Sequence, residues 1–121
     1  MALIPATAHP MDIMRCITSV LGTLEPEDGI VRTAESIAIR MVAMMGPALL
    51  FWHHYHRSGL RINGYTGAKD SVAENFMKLL TLKYEEKIDP IIIKTFDVSL
   101  ILYAEHDFNA STFAARVTVS T

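Results

Sequence analysis

Leu102 to Val117 reads L-Y-A-E-H-D-F-N-A-S-T-F-A-A-R-V, and it sets one histidine, His106, between an apolar run and a cluster of helix-capping residues. The preceding run from Ile91 to Leu102, I-I-I-K-T-F-D-V-S-L-I-L, has too few polar positions for a solvent-facing surface and predicts a buried helix. The pattern breaks at Glu105, His106, Asp107 and Asn109, then resumes at Ser111 with Phe113, Ala114, Ala115 and Val117. Ser111 or Thr112 is the expected N-cap of a last helix running toward Val119. A helix end followed at once by a helix start gathers backbone N–H and C=O groups that lack intrahelical partners, and its N-terminal end attracts an anion. Such a corner suits a binding site. The bland alternative for His106 is a satisfied polar residue where two helices meet.

Working back to the N-terminus, His9-Pro10 opens a first helix, because proline fits the first turn where its missing N–H has no partner to lose. Met11, Met14, Ile17, Val20 and Leu21, widened by Ile13 and Cys16, predict a mostly buried helix. Gly22 to Gly29, G-T-L-E-P-E-D-G, is the first loop. A long helical tract then starts near Thr33 or Glu35. Gly46-Pro47 interrupts it, so a kink or a break into two helices is expected there. Arg57-Ser58-Gly59 supplies its C-terminal signal. Gly59 to Lys69 reads as a flexible connector, and Asp70-Ser71 starts a third helix with Ser71 and Glu74 spaced as a capping box. Val72, Phe76, Leu79 and Leu80 form its expected inner face, ending near Thr81. Lys83 to Lys87 is a charged linker, after which Asp89-Pro90 begins the helix that leads to His106. No strand alternation is convincing, and the expected class is all-α.

Half the residues are apolar and 20% are charged, against about 25% charged in an average soluble domain. That excess predicts surfaces meant for covering. The net charge of −2 offers no clustered basic footprint, which argues against nucleic acid as a partner. Cys16 is the single cysteine, so no intrachain disulfide forms and a reducing compartment, the cytoplasm, is expected. The most apolar segment, Met41 to Trp52, is shorter than the roughly 20 residues that cross a bilayer, so no membrane partner is expected.

Four more histidines invite a ligand reading. His53, His54 and His56 in F-W-H-H-Y-H sit close enough to suggest a metal, but no Cys, Asp or Glu is interleaved to complete a set, and histidines also complement a helix C-terminus. The expected metal site is none. His9, just ahead of a helix, reads better as a hydrogen-bonding entry residue than as a ligand.

Two long blocks carry a resemblance. E-H-D-F-N-A-S-T-F, Glu105 to Phe113, resembles the central motif of the citrate synthase family, most of all its 2-methylcitrate synthase branch; Pro5 to Arg15, P-A-T-A-H-P-M-D-I-M-R, is similar to another recurrent block of that branch. The resemblance implies an acyltransferase that condenses propionyl-CoA or acetyl-CoA with oxaloacetate, the coenzyme A thioester being a substrate and no cofactor being needed. It implies that His106 binds oxaloacetate and helps polarise its carbonyl, and that Asn109 orients His106 or touches a substrate carboxylate. Arg116, seven residues past Asn109, is taken as structural. Family members are several times longer and carry a second catalytic histidine in a G-P-x-H-G-G-A-N-like block, then a catalytic aspartate and substrate-binding arginines. No such block occurs in these 121 residues. Residues 1–121 are therefore expected to be part of the large helical domain of a homodimeric enzyme, inactive alone. Tyr103 and Phe108 favour the 2-methylcitrate branch over citrate synthase proper. A competing reading is a catalytically inactive helical module that dimerises through its apolar faces.

Overall fold

A computed structural model describes residues 2–64, 66–104 and 109–120. The described residues form five helices and no strand, so the chain is all-α: α1 Pro10–Leu24, α2 Ala34–Ser58, α3 Val72–Thr81, α4 Pro90–Ala104 and α5 Ala110–Ser120. They fall into two compact units, Met1–Ile88 with α1 to α3 and Asp89–Thr121 with α4 and α5.

The first unit is organised by α2. Its buried residues are Leu50, Trp52 and His54, at two-residue spacing. Because a helix turns about 100° per residue, Trp52 points roughly opposite to the other two. Two stripes result. Trp52, with the partly buried Met45, Ala48 and Leu49, packs against Ile13 and Ile17 of α1. Gly46, Leu50 and His54 share the other side, where Gly46 lies under the Phe76 ring of α3 and His54 Nε2 lies 2.9 Å from the Leu79 carbonyl oxygen. Among the described residues the helix-to-helix contacts are α1 with α2 and α2 with α3.

This arrangement revises several expectations. Gly46-Pro47 does not break α2, which runs continuously for 25 residues. A proline inside a helix forfeits one hydrogen bond and crowds the preceding turn, at about 3 kcal/mol. Packing at this dipeptide offsets that cost: a Cβ on Gly46 would stand 3.1 Å from Phe76 Cδ2, and one on Gly64 would stand 3.0 Å from Pro47 Cβ. Both glycines give room for close approach. Without the break, α2 is long and apolar enough by length and composition to cross a bilayer, contrary to the reading of its central segment alone. Only Leu50, Trp52 and His54 of its 25 residues are buried, where α1 and α3 pack on it.

In α1 only Ile13 and Ile17 are buried; Met11, Val20 and Cys16 are exposed, so the helix is one-faced rather than mostly buried. Its last turn also extends through Gly22 and Thr23, which had read as loop. The loop that follows is tied together by Asp28, whose Oδ1 accepts the N–H groups of Ile30, Val31 and Arg32 at 2.8 to 3.0 Å. Those donors, with the Arg32 guanidinium 3.0 Å from Oδ2, hold its carboxyl well below the usual range. Arg40 of α2 reaches Glu25 at 2.8 Å and ties the two helices at this end.

Ser71 caps α3 as expected, its Oγ accepting the Glu74 N–H at 3.1 Å. Of the inner face expected for α3, Leu79 is buried and Phe76 packs on Gly46, while Val72 and Leu80 lie exposed and Ala73 is buried in their place, so the face is rotated in part. α3 stops at Leu82, whose φ of +58° is the left-handed conformation usual for glycine.

In the second unit Asp89 caps α4, its Oδ1 accepting the Ile91 N–H at 2.8 Å. α4 was expected to be buried, yet none of its residues is: Ile91, Ile101, Leu102 and Tyr103 all stand open. Ile93 and Phe96 are half-buried, and the rest of the apolar surface of α4 is exposed. α5 also buries no residue, with Phe113 and Val119 exposed.

The rotated face of α3 gives a direct check. Leu79→Ala is expected to lower unfolding stability by about 2–5 kcal/mol and Leu80→Ala by under about 1 kcal/mol, measured by urea denaturation; equal losses would restore the face read from spacing.

Candidate functional site

At the corner singled out by the sequence, α4 ends at Ala104 and α5 begins at Ala110. His106 lies outside the described residues, as does Phe108. Asn109 is the N-terminal cap of α5: its Oδ1 accepts the N–H groups of Ser111 at 2.8 Å and Thr112 at 3.4 Å, and its carbonyl accepts that of Phe113 at 2.9 Å. Neither Ser111 nor Thr112 is the cap. Both belong to the first turn, where they donate. With Oδ1 committed to the backbone, the free hydrogen-bonding capacity of Asn109 is in its Nδ2 donors, the polarity that suits a carboxylate. Arg116 is exposed on α5.

The α2 histidines occupy three environments. His54 is buried, and since a carbonyl oxygen only accepts, its Nε2 carries the proton that it donates to Leu79. A protonated Nε2 has no lone pair for a metal. His53 stands edge-on to His54, ring centroids 5.1 Å apart. Its pKa is lowered, first by burial and then by the nearby charges of His54 and Arg57. His56 packs beside Trp52 and edge-on to Tyr55, and Phe51 stacks on Tyr55 at 6.2 Å. Arg61 covers the Tyr55 ring at 5.7 Å. His9 caps α1, its Nδ1 accepting the Met11 N–H at 3.2 Å, which is the entry role expected of it.

A further polar cluster holds the segment between α2 and α3, and it was not legible in the sequence. Lys78 sits between Asp70 at 2.8 Å and Glu74 at 2.9 Å. Asp70 also accepts the Thr66 hydroxyl at 2.5 Å, and Asn75 Nδ2 donates to Thr66 at 2.8 Å and to the Gly64 carbonyl at 3.3 Å. The Lys78 ammonium beside Asp70, and then the Thr66 hydroxyl, hold the Asp70 carboxyl below its ordinary value, and the two carboxylates raise Lys78. Only the residue types at Asp70 and Lys78, eight apart across a cap, hinted at the pairing. Next to this cluster an apolar groove of about 520 Å³ is lined by Ala43, Met44, Pro47, Ala48, Phe51, Ile62 and Gly64. With no charge in its lining, it does not suit a dianionic acid.

A family model described as citrate synthase, C-terminal domain, matches residues 1–121. The chain is 44% identical over 118 residues to a 2-methylcitrate synthase of Shewanella oneidensis, covering 98% of this chain and 30% of that protein. It is 37% identical over 122 residues to a 2-methylcitrate synthase of Mycobacterium tuberculosis, covering all of this chain and 30% of that protein. A citrate synthase of Synechocystis is 36% identical over 125 residues, again covering 30% of its length. The chain thus spans about a third or less of the relatives it matches.

Two outcomes follow from the α2 histidines. His54→Ala leaves the Leu79 carbonyl without its partner and is expected to cost at least about 1–3 kcal/mol, read by denaturant unfolding. For His53, the lowered pKa means that the unfolded chain binds the proton more readily. Its contribution is whole above the unfolded value and is lost as pH falls from there through the folded value. His53→Gln should therefore flatten the drop in melting temperature between pH 7 and pH 5, and an unchanged slope would contradict this.

Proposed function

The chain belongs to the citrate synthase family, and from that premise we propose that it forms part of the large helical domain of an acyltransferase of the 2-methylcitrate synthase kind, condensing propionyl-CoA with oxaloacetate. The observation that carries the reading is the family match over residues 1–121, with E-H-D-F-N-A-S-T-F falling at the junction of α4 and α5. In that reaction the α-carbon of the thioester loses a proton and bonds to the ketone carbon of oxaloacetate. The ketone oxygen becomes an alkoxide and then a hydroxyl, and water cleaves the thioester to release coenzyme A.

In this reading His106 donates a hydrogen bond to the oxygen as its charge develops, which stabilises the transition state more than the ground state. Imidazole suits the role because it carries a donor in either protonation state and changes charge near neutral pH. Asn109, anchored through Oδ1 as the α5 cap, presents its Nδ2 donors toward a carboxylate of the same substrate. The N-terminal end of α5 adds partial positive charge where a dianion needs it. The carbon base and the donor for the enolate belong to the family's other blocks, and coenzyme A enters as part of a substrate.

The uncovered apolar surface of α4 supports a place inside a larger assembly, which we take to be a homodimer. The lone Cys16 is consistent with the reducing cytoplasm. Citrate synthase proper is the second reading, favoured by the similarity to the Synechocystis enzyme. The two differ by one methylene in the acyl group, a discrimination worth about 1–3 kcal/mol.

A chimaera tests the assignment: this chain in place of the matching segment of the Shewanella oneidensis 2-methylcitrate synthase. It is expected to release coenzyme A from propionyl-CoA plus oxaloacetate, and His106→Ala to lower kcat/KM by about 10²–10³-fold. A folded chimaera whose turnover is indifferent to His106→Ala would refute the role. Propionyl-CoA and acetyl-CoA compared side by side separate the two branches.

A further inference from the structure

We draw no further inference here: the strongest candidate, the apolar groove on α2 lined by Ala43, Met44, Pro47, Ala48 and Phe51, carries nothing, because nothing in the structure shows what covers it.

Discussion

A single hydrogen bond, His54 Nε2 to the Leu79 carbonyl, shows why the first unit is built around α2. A buried imidazole must find a partner or forfeit its solvation, and a carbonyl in the last turn of a helix has no intrahelical donor to spare. Each satisfies the other. The bond fixes which side of α2 faces α3, and with that side assigned to Gly46, Leu50 and His54, the stripe of Met45, Ala48, Leu49 and Trp52 is left for Ile13 and Ile17 of α1. One helix serving two neighbours cannot show one apolar stripe, and α2 does not.

That two-sidedness explains what could and could not be read from the residues. Helix starts were legible because they depend on chemistry within a few positions: His9-Pro10, Ser71 and Asp89-Pro90 all cap as their side chains dictate. Gly59 likewise ends α2 at φ +73°. Faces were less legible. Spacing placed Phe76 and Leu79 correctly on the inner side of α3 but added Val72 and Leu80, which are exposed, and missed Ala73, which is buried. Gly46-Pro47 read as a break because local rules count only the lost backbone bond. The compensation comes from Phe76 and Gly64, far along the chain. At the last helix, Asn109, Ser111 and Thr112 are all capping residues, and only the backbone geometry selects Asn109.

The second unit is read differently. Its helix α4 was taken as buried on composition, and composition was a sound guide to what the helix needs rather than to what this chain provides. The same residues that lack cover lead directly into Glu105 to Asn109, the stretch that carries the family resemblance. In the proposed enzyme the two facts belong together: an apolar helix embedded on all sides is a rigid mount, and a catalytic imidazole gains most when its mount does not move. From the sequence the candidate site is a motif with one named histidine, His106, which lies outside the described residues, whereas the polar cluster between α2 and α3 was not read, because its side chains are brought together by the turn and not by sequence spacing.

The protonation of His54 decides whether α2 and α3 are joined as described. Nitrogen NMR of the imidazole in this chain tests it, by resolving whether Nε2 is protonated and whether its proton exchanges with water. A protonated, slowly exchanging Nε2 with a through-bond coupling to the Leu79 carbonyl carbon is the result expected. A bare Nε2, or a proton exchanging at the rate of an exposed histidine, would mean that α2 and α3 are not joined in this way and that the two-sided helix is wrongly placed.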